Sequence, residues 1–92
     1  MFQFSDLNFK AHPAPFLAHK ATQALVTFPN GHSASIVWGI GVYGTMDSYE
    51  VWRSIDEYPI TDLDENGVTD LLRELENTDA SQEKIGYQVS PG

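Results

Sequence analysis

Residues 21–40 read ATQALVTFPNGHSASIVWGI, and this stretch predicts a β-hairpin. Two runs with many apolar residues flank Pro29-Asn30-Gly31, which is a strong turn signal. A two-residue turn at Asn30-Gly31 would pair Pro29 with His32 and would need a backbone hydrogen that proline lacks. A three-residue loop with Gly31 in the left-handed region avoids this conflict and pairs Phe28 with His32. We therefore expect the three-residue loop.

The same register gives the hairpin one apolar face and one more polar face. The apolar face carries Ala24, Val26, Phe28, Ala34, Ile36 and Trp38. The other face carries Gln23, Leu25, Thr27, Ser33, Ser35 and Val37. A slip of one residue would mix the two sets, so the pattern favours this register.

A third strand is predicted over residues 48–55, with Tyr49, Val51 and Ile55 on one side. Arg53 interrupts this apolar side. We expect it near a sheet edge, or with its charged end reaching solvent along an apolar stem.

The clearest helical pattern is the recurrence of Val68, Leu71, Leu72 and Leu75, which places four apolar side chains in one stripe. It predicts a helix over about residues 65–77 with Asp64 as its N-cap. The whole pattern predicts an α+β fold, a three- to four-stranded antiparallel sheet with one C-terminal helix packed on it. Residues 1–83 form a single domain in this interpretation, and residues 84–92 form a C-terminal tail or an edge strand.

Length and composition narrow the class of protein. Ninety-two residues suffice for one domain with one modest core. The absence of cysteine favours a reducing cytoplasm, because a secreted domain of this size usually needs disulfides. Residues 1–11 lack the apolar run of a signal peptide, and no apolar stretch approaches the roughly 20 residues that span a bilayer. We expect a cytoplasmic protein that does not enter a membrane.

The charge is strongly asymmetric along the chain. Residues 47–92 contain twelve of the thirteen acids and three of the five bases, a net charge of −9, whereas residues 1–46 carry +1. This balance argues against direct binding to nucleic acid, which needs lysine and arginine to displace counterions. It is compatible with a basic protein partner, and equally with acids that only maintain solubility.

Two motifs suggest ligands, but neither has the required context. Gly39-Ile40-Gly41-Val42-Tyr43-Gly44 fits a dinucleotide-binding pattern, yet a strand rather than a helix follows it. Residues 62–67 match the start of a calcium loop, but its twelfth position is Arg73 instead of glutamate. We expect a hairpin loop and a capped helix at these two places.

No catalytic apparatus is indicated. His12, His19 and His32 lack metal-ligand spacing and are predicted to be surface or turn residues. The acids cluster on the polar face of the helix and before it, without the unlike environments that separate the pKa values of paired catalytic carboxylates. We therefore predict no enzyme activity, no metal and no cofactor.

The candidate partner-binding residues are acids off the leucine stripe and two tyrosines near loops. They are Asp56, Glu57, Asp62, Asp64, Asp70, Glu74, Tyr43 and Tyr58. The acids would form an acidic strip, and the tyrosines would supply buried anchors.

Five short segments also resemble a group of small proteins encoded by tailed phages and prophages. The segments are residues 4–12 (FSDLNFKAH), 26–31 (VTFPNG), 49–51 (YEV), 59–61 (PIT) and 68–70 (VTD). They occur in the order found in that group and cover about residues 4–76. The link between Pro59 and the helix is shorter here, and the tail is additional. The group has no settled activity, so the resemblance implies only a phage or prophage setting, in which small acidic proteins often inhibit host defence, as anti-CRISPR proteins do.

Two functions follow as hypotheses. In the first, the protein is a phage-encoded, anti-CRISPR-like inhibitor that occupies a basic, nucleic-acid-binding surface of a bacterial defence complex in the host cytoplasm. In the second, it is an accessory or structural phage protein that self-associates through an open sheet edge.

Overall fold

The computed structural model describes residues 1–14, 21–39, 48–80 and 84–88, in which one antiparallel sheet carries one helix. The sheet has five strands in the order β1-β2-β3-β4-β5, so each strand pairs with its neighbours in sequence. The elements are a 3-10 turn at Phe4–Asp6, β1 at Lys10–Ala11, β2 at Ala21–Thr27, β3 at Ser33–Gly39, β4 at Ser48–Arg53, β5 at Ile60–Leu63 and α1 at Glu65–Glu76.

The predicted hairpin register is confirmed. Ala24 pairs with Ile36, and the Phe28 amide donates to the His32 carbonyl at 2.8 Å. Gly31 has a φ of 88°, the left-handed conformation that the three-residue loop requires. The turn chemistry and the alternation of side chains therefore specify one register.

The core lies between the sheet and α1, as predicted. Val68, Leu72 and Leu75 of the helix are fully buried, as are Ile36 and Val51 on the central strands. The Asp64 side chain accepts a hydrogen bond from the Gly67 amide and so caps the helix, which ends at Glu76. The α+β class and the C-terminal helix on the sheet are confirmed.

Neither of the two edge strands, β1 and β5, was predicted as a strand. β1 is two residues long, and β5 is four residues long with a bulge opposite Glu50, because Tyr49 pairs with Leu63 but Val51 pairs with Ile60. Asp62, within the bulge, has a φ of 59°. Strands this short and irregular do not show the alternation of apolar and polar side chains that identifies a strand in a sequence. The sheet therefore has five strands where three to four were predicted.

The expectation for Arg53 was wrong. Arg53 lies on β4, an inner strand between β3 and β5, and it is buried. It tolerates burial because carboxylates and a helix carbonyl surround its guanidinium, as described below. The strand also ends at Arg53, so that Ser54 and Ile55 belong to the following turn.

Residues 84–88 cover part of the polar face of the sheet without forming a strand. The amides of Ile85 and Gly86 both donate to the Ser54 carbonyl at 2.8 Å. The Ser33 hydroxyl donates to the Tyr87 carbonyl, and the rings of Tyr87 and Trp52 lie 5.9 Å apart. Ser33 is buried for this reason, although its strand position is on the polar face.

Within the described part of the chain, no helix has the length and apolar character needed to cross a membrane.

Candidate partner-binding surface

The candidate acids fall into two groups, those that are used inside the fold and those that are not. The clearest internal use is at Arg53, whose side chain is 7% exposed. Its Nε and Nη2 donate to the two carboxylate oxygens of Asp56 at 2.6 and 2.9 Å, and its Nη1 donates to the Leu71 carbonyl at 3.2 Å. Glu74 completes the cluster at 3.3 Å from Nη1.

This cluster fixes the turn after β4 against the helix. Burial disfavours the charged guanidinium, but Asp56 and Glu74 outweigh it and leave the pKa of Arg53 above its ordinary value. Asp56 is 15% exposed and is held in a two-point pair, whereas Glu74 is 67% exposed. Asp56 is therefore a structural carboxylate, and Glu74 is only partly free to meet a partner.

Asp64 also has an internal role, because it is the N-cap of α1. Its Oδ1 accepts from the Gly67 amide at 2.7 Å, which satisfies one of the amides left free at a helix start. This cap explains the aspartate within the calcium-like motif. In the described ranges, no three histidine, aspartate or glutamate side chains lie close enough together to hold a metal ion.

Four acids have no such role. Glu57, Asp62, Glu65 and Asp70 are exposed, and their carboxylates make no hydrogen bond or ion pair with any residue that the structure describes. Three of them were predicted site residues, and the fourth, Glu65, is the first residue of α1. These four residues are called the free acids below.

The free acids lie on the β4–β5 link, on β5 and on the outer side of α1. Glu65 and Asp70 line an open groove between the helix and the N-terminal segment, together with Phe4, Asn66 and Arg73. The Arg73 Nε donates to the Phe2 carbonyl at 2.8 Å, which anchors the N-terminus beside the helix. The groove thus presents two carboxylates beside one aromatic ring and one arginine.

Of the two candidate tyrosines, only Tyr58 lies among the residues that the structure describes. Tyr58 is 72% exposed on the β4–β5 link, directly after the free acid Glu57. An exposed aromatic next to an uncompensated carboxylate is suited to a protein contact. Tyr43 and the rest of the glycine-rich segment 40–47 lie outside the described residues, as does His19.

One buried polar network was not foreseen. His32 was expected at the surface or in a turn, but it is fully buried directly after the hairpin turn. Its Nε2 lies 2.9 Å from the Asp79 carbonyl and its Nδ1 lies 3.3 Å from the Ser54 hydroxyl. Because a carbonyl only accepts, Nε2 carries a hydrogen and donates it to the Asp79 carbonyl. The network ties the hairpin to the segment after the helix and is structural.

Comparison of the chain with models of known protein families, with curated protein sequences and with solved structures finds no match in any of the three.

Proposed function

We propose that the chain is a small acidic interaction protein that inhibits a bacterial defence complex by occupying a basic surface that otherwise binds nucleic acid. The observation that carries this proposal is the set of free acids. Asp56 and Asp64 have defined tasks inside the fold, but Glu57, Asp62, Glu65 and Asp70 have none that involves the described residues. These four carboxylates are available to a partner.

A protein partner fits these acids better than a small molecule does. The open groove beside α1 does not enclose a ligand, and the free acids extend beyond it to the β4–β5 link. Exposed charges spread over several elements act mainly by steering a partner of opposite charge and by fixing its orientation. Tyr58 would then add the aromatic contact that dispersed charges do not supply.

The basic surface is inferred from the sign of the charge. The net charge of −8 disfavours nucleic acid itself and favours a protein region rich in lysine and arginine. Such regions are typical of nucleic-acid-binding proteins, and an acidic domain placed there excludes the nucleic acid without any chemistry. The phage setting and the host cytoplasm rest on the resemblance of the five sequence segments, and the anti-CRISPR-like role is an inference from that setting.

Capture from a bacterial host lysate tests the proposal. The tagged chain is incubated with lysate in the presence and absence of nuclease, and the column is eluted with increasing salt. We expect a nucleic-acid-binding protein to be retained after nuclease treatment and to elute as salt screens the attraction. Retention that disappears with nuclease would mean that nucleic acid bridges the two proteins, which would contradict the proposal.

A further inference from the structure

The chain contains two Asn-Gly pairs, Asn30-Gly31 in the hairpin turn and Asn66-Gly67 in the first turn of α1. This dipeptide is prone to deamidation, because glycine has no side chain to hinder attack by its backbone nitrogen on the preceding side chain. The glycine nitrogen bonds to Cγ of the asparagine, and Nδ2 leaves as ammonia with the proton of the glycine amide. Water then opens the succinimide ring, which gives aspartate or isoaspartate.

The fold holds both reacting groups of the first pair apart. The Gly31 amide donates to the Phe28 carbonyl at 2.9 Å, so its proton and nitrogen are already engaged. Asn30 Oδ1 accepts from the His32 amide at 3.0 Å, and Asn30 Nδ2 bonds to three carbonyl oxygens at the end of α1 and just after it. Attack on Cγ requires the side chain to rotate, which would break these bonds together.

The second pair is held less firmly. The Gly67 amide donates to Asp64 Oδ1 at 2.7 Å, but Asn66 is exposed and its side chain makes no hydrogen bond with any residue that the structure describes. Fraying of one helical turn therefore frees Asn66, because helix ends open locally at little cost. Freeing Asn30 requires the contact between the hairpin tip and α1 to open.

We propose that Asn30 is a deamidation site that is closed while α1 packs on the sheet and reactive once the helix leaves the hairpin tip. The reaction consumes only water. It removes the donor that bonds to the α1 carbonyls and puts a carboxylate in its place, where the negative end of the helix dipole opposes it. Isoaspartate also adds one carbon to the backbone of the three-residue loop. Either product opposes the return of the helix, so that unfolding becomes permanent.

Deamidation of the purified chain, measured at each site by peptide mapping with mass spectrometry, tests this proposal. In guanidinium chloride the two pairs should react at similar rates. In the native chain Asn30 should react at least ~100-fold more slowly than in guanidinium chloride, because only the opened population reacts. After the denaturant is removed, molecules with an intact Asn30 should refold, and molecules deamidated at Asn30 should be enriched in the fraction that does not.

Leu72→Ala loosens α1 without touching either pair. It should accelerate deamidation of Asn30 by ~10-fold or more and that of Asn66 by less than ~3-fold. Guanidinium chloride below the unfolding midpoint provides the same comparison on the unaltered chain, where the Asn30 rate should rise with the unfolded fraction. A native Asn30 rate equal to the denatured rate would overturn the proposal, as would a rate that responds neither to Leu72→Ala nor to denaturant. Full refolding of chains deamidated at Asn30 would contradict the permanence of the change.

Discussion

The side-chain amide of Asn30, at the tip of the β2–β3 hairpin, lies 2.9 Å from the carbonyl oxygen of Leu75 at the end of α1. The same Nδ2 is also within bonding distance of the Glu76 and Thr78 carbonyls, at 3.1 and 2.9 Å. Asn30 Oδ1 accepts from the His32 amide. One turn residue therefore closes the hairpin and caps the C-terminus of a helix 45 residues later in the chain.

Asn30→Asp is predicted to destabilise the fold by at least ~2 kcal/mol, because it removes the donor and places a negative charge against carbonyl oxygens at the negative end of the helix dipole. The free energy of unfolding in urea measures this loss. Asn66→Asp is the matched control. It makes the same change in the exposed first turn of α1, where a negative charge is favourable, and it should change stability by less than ~0.5 kcal/mol. Equal losses for the two variants would contradict the capping role of Asn30.

Arg53→Met is predicted to cost about 3–5 kcal/mol, because it leaves Asp56 and the Leu71 carbonyl without their buried partner. Glu74→Gln should cost no more than ~1 kcal/mol, since Glu74 is mostly exposed. Chemical denaturation of both variants separates the two sides of the cluster. A large loss for Glu74→Gln with a small loss for Arg53→Met would reverse our ranking of the two contacts.

Gly86→Ala is predicted to detach residues 84–88 from the sheet. A Cβ at this position would overlap the carbonyl oxygens of both Arg53 and Asp56, and backbone atoms cannot yield easily. We expect a loss of roughly 1–3 kcal/mol and a red shift of tryptophan emission as Trp52 loses its contact with Tyr87. Gln88→Ala, at an exposed position in the same segment, should leave both unchanged. Unaltered emission in Gly86→Ala would show that the segment does not depend on this close approach.

Leu72→Ala is predicted to cost about 2–5 kcal/mol, because Leu72 is fully buried between the helix and the sheet. Leu25→Ala is its control for side-chain size, since Leu25 is 49% exposed, and should cost below ~1 kcal/mol. Chemical denaturation provides both values. A loss below ~1 kcal/mol for Leu72→Ala would remove this leucine from the core.

The hairpin and the helix could be predicted because their signals are local. Pro29-Asn30-Gly31 specified the turn, the alternation of side chains specified the faces, and Asp64 with the leucine stripe specified the helix. Arg53, His32 and residues 84–88 could not be placed in the same way. Their burial depends on partners far along the chain, such as Leu71 for Arg53 and Asp79 for His32, which no local period reveals.

The candidate acids were predicted as one set, because the sequence shows charge and helical spacing but not internal partners. The structure separates them. Asp56 and Asp64 support the fold, and Glu74 contacts the buried Arg53, so that a lysine at position 74 would perturb stability as well as binding. Asp70 and Glu57 are exposed and have no partner among the residues that the structure describes, so they are the better residues for testing a contact surface.

The most direct test of the electrostatic mechanism is the rate of association between the chain and the protein it captures from nuclease-treated lysate, measured against salt concentration. The variant Glu57→Gln/Asp70→Asn removes two negative charges from the free acids. Asn8→Lys/Gln88→Lys changes the net charge by the same amount at exposed positions elsewhere. We predict that association slows as salt rises, that it slows by ~10-fold for the first variant and that it remains close to the wild-type rate for the second. Association that is independent of salt, or an equal effect of the two variants, would contradict binding through the free acids.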